Sequence, residues 1–495
     1  MHLLLRLLAA AVSGFITYAS YEPLGWWVAG VLGVGLLYAC LVPWGRRVQL
    51  WAGALIAFVH SVILYLLLLP WVGEFVGAVP YVALSIACAI YALLTGVGGV
   101  WIARWSYGFL AFPFFYVAVE FLRSSMPFGG FSWVRLAWGQ VNGPLVNLSV
   151  WGGPALVTLA AVFVGAGLTG LYYRRTRVIA AGAVIAPLIL GLIAGIGVNR
   201  PDATVGSVDV AAIQGNVPRM GLDTHTQERA VLRNHARVTE ELAASGAEPD
   251  LVFWPENSSD VNPLTNEEAG AIVDEAVQAI DAPVMVGTIT GAEDGTYNTM
   301  QVFDPVTGPG EDHHKRFLVP FGEWMPYRDF FRNFSELVDY AGNFVPGDGN
   351  GVVDMGGLPV GVATCYEVAY DPAYRTAVLD GAQILTTPTN NATFGFTDQT
   401  YQQLAMSRFR AIETDRAVVV AATSGTSAIV HPDGTVTQDT NLFEPAVLQE
   451  TLPLRDSVTF AVRHGEKVQL ALIIIGLFLV LAAWWTNRRR SLRSE

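Results

Sequence analysis

Lysine is almost missing from this chain: of 29 basic residues only Lys315 and Lys467 are lysine. Cysteine is nearly as scarce, with three in 495 residues, and this excludes a disulfide-stapled fold. Cys40 and Cys88 lie inside long apolar runs, so Cys365 is the one cysteine in the polar part of the sequence. Charged residues make up 14% of the chain, against about 25% in soluble domains. Metal-binding spacings are lacking as well. There is no C-x-x-C and no H-E-x-x-H, and the adjacent pair His313–His314 cannot act as a helical i, i+4 pair. His225, His235, His431 and His464 fall in no motif and, with that pair, read as solvated. No metal and no cofactor is expected. Heptads, internal repeats and low-complexity segments are missing too.

What the chain has instead is apolar residue, 52% of it, gathered into runs. Eight runs approach the length of about 17–25 residues that a helix needs to cross a bilayer. They are 3–19, 24–42, 50–69, 81–102, 108–122, 145–171, 178–198 and 470–485, the fifth interrupted by Pro113 and ending near Glu120. Arginines fall in every second connection, at 46–47, 104, 174–177 and 488–490. The excess of positive charge on the cytoplasmic side therefore puts both termini inside and the segment 200–463 outside. That segment carries 37 acidic and 15 basic residues, a net of −22, and the remainder a net of +9. An acidic domain without basic patches excludes nucleic acid as a partner. The expected organisation is a transmembrane part at 1–199, an outer domain at 200–465, and a last span with a basic tail at 466–495.

Within the outer domain, 208–215, 250–254, 283–289, 297–303, 382–387 and 417–422 read as strands, with helices at 225–244, 267–280 and 400–414. Residues 304–312 read as a turn, and 427–430 with 435–438 as a hairpin across "PDG". Alternating strands and helices imply a layered α/β domain with loops at the strand ends free for chemistry. Three groups stand there. Glu256 follows the strand "DLVFW", Lys315 lies in "HHKRF", and Cys365 ends the apolar run "GLPVGVAT". The bland reading of Cys365 is a small buried hydrophobe, and that of Lys315 a leftover surface cation. Together they make a different case. A carboxylate can take a thiol proton, an ammonium lowers the thiol pKa and steadies an oxyanion, and the thiolate attacks a carbonyl. A compact ammonium rather than a planar guanidinium would explain why this sequence keeps a lysine at 315.

These stretches carry a resemblance. "WPEN" around Glu256, "HHKRFLVPFGEWMPYR" with Lys315 and Glu323, and "TCYE" around Cys365 resemble the Glu–Lys–Cys pattern of the nitrilase superfamily. Flanked by membrane spans, they are similar to its membrane-embedded branch, the apolipoprotein N-acyltransferase family. The likeness runs almost the whole chain, through "FPFFYVAVEFLR", "FVPGDG" and "MSRFRAIETDRAVVVAATSGTSAIVHPDG". It implies an extracytoplasmic nitrilase-like αββα sandwich carried on about eight membrane helices of the bacterial plasma membrane. It also implies transfer of an acyl chain from a membrane phospholipid to the N-terminal amine of a diacylglyceryl apolipoprotein, through a thioester. Carried over by motif, Glu256 is the base, Lys315 the oxyanion stabiliser and Cys365 the nucleophile. Glu323, Tyr366 and Glu367 support them, and Asn298, Phe321, Trp324, Phe344 and Trp133 are expected at the substrate.

Two departures bear on substrate contacts rather than on the thiol chemistry. The chain has "NNATFG", with Asn391 and Thr393, where the family usually has "NDAWFG", and no tryptophan lies between 218 and 227. The triad alone also fits a membrane-anchored amidase that uses water, while a non-catalytic lipoprotein-binding scaffold would have no need of it. Roughly eight spans around the site favour a lipid substrate over a soluble amide. Two glycine-flanked aromatic stretches, 128–138 and 324–345, are expected to line and cover the lipid path, with Glu120 and Arg123 pairing to fix the first.

Overall fold

The computed structural model describes residues 2–198, 204–217, 229–333, 338–339 and 341–492. Two compact units make it up, Met1–Val198 with His464–Glu495, and Asn199–Arg463.

The first unit is helical throughout. Among the described residues five helices are long and apolar enough to cross a membrane: Leu50–Leu68, Ala78–Ala103, Pro144–Gly170, Arg177–Val198 and Phe460–Arg489. Leu3–Tyr18 and Trp27–Leu41 are apolar but shorter, at 16 and 15 residues. Gly108–Ser125 carries Pro113 without breaking, together with Glu120 and Arg123. Apolar side chains alone give helices little reason to associate in lipid, so close packing must supply it. Gly53 and Gly96 show how: a Cβ on Gly96 would stand 2.1 Å from the Gly53 carbonyl oxygen.

Glu120 and Arg123 do pair, at 3.9 Å, and both are buried. The Leu136 N–H donates to Glu120 at 2.8 Å, Thr158 donates to its other oxygen at 2.9 Å, and Arg123 donates to the Val134 carbonyl at 3.0 Å. The stretch they hold is buried rather than loose. It winds into short 3₁₀ turns at Ser132–Val134 and Leu136–Gln140, and Trp133 is 2% exposed with its ring 5.2 Å from that of Trp71. Trp133, expected at the substrate, is thus packed against Trp71 inside the helical unit.

The second unit holds twelve strands among the described residues: β1 (Gly206–Gln214), β2 (Leu251–Phe253), β3 (Val284–Ala292), β4 (Gly295–Asp304), β5 (Gly308–His314), β6 (Val352–Met355), β7 (Leu358–Val362), β8 (Ile384–Thr389), β9 (Val418–Ala422), β10 (Ala428–Val430), β11 (Val436–Asp439) and β12 (Ala446–Leu454). They form two six-stranded sheets, ordered β12-β1-β2-β3-β4-β5 and β11-β10-β9-β8-β7-β6. The central strands of each sheet run parallel. Their inner faces meet in one core, where Val210, Phe253, Met285 and Met300 pack with Val353, Val362, Val419 and Ile429. Helices Ala230–Ala244 and Glu267–Ile280 bury their apolar stripes on the outside of the first sheet through Leu232, Val273 and Val277. Helices Asp371–Leu379 and Gln399–Thr414 pack against strands of the second sheet. Helix, sheet, sheet, helix is the resulting layering.

Residues 304–312 are a correction. They are not a turn alone: the chain reverses at 305–307 and returns as β5, paired antiparallel to β4. "GPGEDHH" has no β-forming composition, and it is a strand because β4 offers it a ladder. β12 carries Pro453, whose missing N–H is tolerated because β12 is an edge strand. The helix expected from residue 225 is described from Ala230 onward, and its first residues lie outside the described ones.

Candidate active site

Four loops at the strand ends converge. After β2 the chain runs through Trp254, fixed by its indole N–H donating to Thr239 at 2.9 Å, into Pro255 and Glu256. Asn257 then takes a left-handed backbone, φ 53°. This turn leans on β3 where β3 has no side chain: a Cβ on Gly287 would stand 2.3 Å from the Pro255 oxygen and 2.8 Å from the Glu256 Cα. Lys315 follows β5 directly. Its N–H donates to the Asn298 carbonyl at 2.8 Å and its carbonyl accepts from Gly347 N–H at 2.9 Å.

The Lys315 ammonium, 1% exposed, sits between two carboxylates, 2.9 Å from Glu256 Oε1 and 2.8 Å from Glu323 Oε1. Asn298 Nδ2 donates to the same two oxygens at 2.7 and 3.1 Å. Glu256 Oε2 accepts from the Asn390 N–H at 2.9 Å, and Glu323 Oε2 from the Val319 N–H at 2.8 Å. Burial alone would push the lysine pKa down, but Glu256 and Glu323 outweigh it and hold the ammonium well above its ordinary value.

Cys365 begins a 3₁₀ turn, Cys365–Ala369, just past β7. Its backbone is left-handed, φ 51°, a conformation costing a non-glycine residue about 1–2 kcal/mol. What holds it there is Glu367. This fully buried carboxylate accepts from the N–H groups of Thr364 (2.8 Å), Arg316 (2.8 Å) and Phe317 (3.1 Å), and from His313 Nε2 (3.2 Å). One side chain therefore fastens the cysteine turn to the residues on either side of Lys315. Burial opposes its ionisation, yet the His313 contact and the backbone donors hold its carboxyl below the usual range. From behind, Arg410 donates to the Val368 carbonyl at 2.9 Å and pairs with Glu413 and Asp371, which tie in Arg375.

Among the three cysteines only Cys365 keeps part of its surface exposed. Burial and then the Glu256 charge push its thiol up to about 12, with Lys315 and a hydrogen bond to Thr389 offsetting them only in part. The Lys315 ammonium does pull the thiol down, as its charge implies, but two carboxylates already neutralise it. At neutral pH the sulfur is therefore held as a thiol.

The remaining candidates divide. Asn298 donates to the two carboxylates through Nδ2, and its Oδ1 has no partner among the described residues. Tyr366 is buried, with its ring edge-on to Tyr370 at 5.3 Å, and Tyr370 in turn stacks on Phe317 at 4.8 Å. Phe321 is 44% exposed and edge-on to Phe331 at 5.2 Å. Trp324 and Phe344 are half-buried on either side of Glu323, whose carbonyl accepts from the Phe344 N–H at 3.0 Å. Phe334 and Tyr340 lie outside the described residues.

His313 and His235 are not solvated but buried, the first on Glu367, the second donating from Nδ1 to the Val231 carbonyl at 2.8 Å within its helix. Asn390 and Gly287 escaped the sequence reading. The one acts through its backbone N–H and the other by lacking a side chain, so neither leaves a residue-type signature. Asn391 is buried between Thr389 and Thr400, and Thr393 faces outward.

A carboxylate, an ammonium and a thiol held so at the strand ends of an αββα sandwich define a nitrilase-like, carbon–nitrogen hydrolase class of domain, and residues 209–461 match the carbon–nitrogen hydrolase family. Residues 13–167 match the apolipoprotein N-acyltransferase N-terminal domain. An apolipoprotein N-acyltransferase of Mycolicibacterium smegmatis is 40% identical, over 97% of this chain and 86% of that one. One from Vibrio vulnificus is 26% identical over 99% and 98%. Among solved structures, an amidase of the nitrilase superfamily from Nesterenkonia covers 53% of this chain and 95% of its own, at 18% identity and a TM-score of 0.40. The chain belongs to the apolipoprotein N-acyltransferase family, and it is an acyltransferase.

Proposed function

We propose that this chain N-acylates the terminal diacylglyceryl-cysteine of bacterial apolipoproteins with an acyl group taken from a membrane phospholipid. The reading rests above all on Lys315 Nζ held between Glu256 and Glu323 beside a cysteine in a left-handed turn. Glu256 takes the Cys365 proton as sulfur attacks the ester carbonyl, and Lys315 with the Tyr366 N–H steadies the oxyanion. The intermediate collapses, Glu256 returns the proton to the leaving glycerol oxygen, and a lysophospholipid departs from the thioester. The lipoprotein amine then gives a proton to Glu256, attacks the thioester carbonyl, and releases the amide and the thiol. Glu323 and Asn298 keep Glu256 and Lys315 in register. The helical unit spans the plasma membrane about eight times, with both termini cytoplasmic and the second unit on the outer face, so the acyl donor is drawn from lipid.

Intact-mass measurement on protein incubated with phospholipid tests this. One acyl mass should appear on Cys365 and be discharged by a diacylglyceryl-cysteine peptide, with none on Cys365→Ser. Discharge by water as fast as by the peptide would favour an amidase, and no adduct at all would overturn the mechanism.

A further inference from the structure

Inside the helical unit lies a cavity walled by polar side chains from three helices. Leu50–Leu68 gives His60, Ser61 and Tyr65, Ala78–Ala103 gives Cys88 and Thr95, and Gly108–Ser125 gives Tyr116, Glu120 and Arg123. His60 is 1% exposed; its Nδ1 meets the Ser13 hydroxyl at 2.6 Å, and its Nε2 has no hydrogen-bond partner among the described residues. Arg123 spends its two terminal nitrogens on the Tyr65 hydroxyl and the Val134 carbonyl, and its Nε–H likewise has no partner among the described residues. Two orphaned polar atoms in one apolar interior are costly, and lipid offers them nothing. Both residues line one cavity whose volume open to a water-sized sphere is about 20 Å³, against the roughly 10–15 Å³ that one water requires. That room takes a water. The polar wall supplies the two to four partners a buried water needs.

We infer that this cavity is an internal hydration site, in which water gives His60 Nε2 and Arg123 Nε–H the hydrogen bonds the protein withholds. Its consequence runs through Arg123. The guanidinium that the water solvates is the one from which Val134 hangs, and its partner Glu120 holds Leu136. Hydration there keeps the charge affordable in an apolar surround and keeps the 128–138 stretch seated. Nothing in this inference depends on the chemistry at Cys365.

Radiolytic hydroxyl labelling of the full chain in lipid nanodiscs tests it, because radicals born from internal water mark the side chains beside it. The structure offers matched controls. Tyr65 and Cys88 line the cavity at 4% exposure each, while Tyr38 and Cys40, at 2% and 1%, do not line it. Tyr65 and Cys88 should label several-fold faster than Tyr38 and Cys40. Both His60→Leu and Thr95→Val should slow that labelling, and His60→Leu should speed amide exchange at Leu136. Equal rates for the two pairs in the unmodified protein would overturn the inference. So would fast labelling unchanged in both variants. If His60→Leu fails to fold, the unmodified protein and the near-isosteric Thr95→Val still decide.

Discussion

Lys315 and Cys365 illustrate how little of a residue's chemistry belongs to the residue itself. The ammonium reaches two carboxylates at 2.9 and 2.8 Å with no exposed surface to spare. An arginine there keeps the charge but brings a longer, planar head that cannot place a point donor between the same oxygens. Lys315→Arg is therefore expected to lose about 10²–10³ in acyl-enzyme formation, nearly as much as Lys315→Ala. Retention of a tenth of the rate, measured by single-turnover acylation, would mean that charge alone suffices. Glu256 raises the pKa of Cys365 by repulsion, and in the proposed mechanism it also accepts the thiol proton. Glu256→Gln separates them. The thiolate absorbance midpoint should fall below about 12, while acylation drops by about 10²–10⁴ for want of a base. A midpoint that stayed or rose would show that burial alone sets the thiol.

At the scale of elements, the site is aimed by how strands and turns approach one another. β3 contributes no functional group, yet Gly287 lets the Glu256 turn lie against it. Gly287→Ala must push that turn outward, at a cost of about 1–3 kcal/mol from overpacking, and displacing a catalytic group by about 1 Å can cost 10²-fold in rate. Gly291→Ala on the same strand meets nothing within 4 Å and should leave both melting and activity near normal. A second element-scale effect comes from helix Ala230–Ala244. His235 is buried with its ring 5.9 Å from Trp254, and burial lowers its pKa to about 4, against an unfolded value of about 6.5. The folded state therefore resists protonation that the unfolded state accepts. The stability this represents is whole above about pH 6.5 and drains away as pH falls toward 4, by about 3 kcal/mol in all. Thermal midpoints of the full chain should slope downward across that window, and His235→Leu should flatten the slope. An unchanged slope would place the acid sensitivity elsewhere.

Across the whole molecule, what the sequence made legible was whatever is written in residue type. The scarcity of lysine singled out Lys315, the lone polar-side cysteine singled out Cys365, and Val-rich runs marked the central strands. Interactions made by the backbone were not legible. The Asn390 N–H on Glu256, the strand status of "GPGEDHH", and the seat of Glu256 on Gly287 exist only once distant segments meet. Burial was half legible: His313 looked like a surface residue because nothing local says that Glu367, 54 positions on, will claim it. The elevated thiol pKa has a consequence of another kind, for redox life. Peroxide and disulfide exchange act on thiolates, and a cysteine climbs the oxidation ladder in proportion to the thiolate it exposes. Many cysteine nucleophiles trade durability for readiness by resting ionised. With its thiol pushed up to about 12, Cys365 carries little thiolate at neutral pH. Peroxide at neutral pH should therefore inactivate this protein slowly, and Glu256→Gln, with its lowered thiol pKa, should form sulfenic acid at Cys365 faster. Slower oxidation in that variant would mean that something other than proton affinity guards the sulfur.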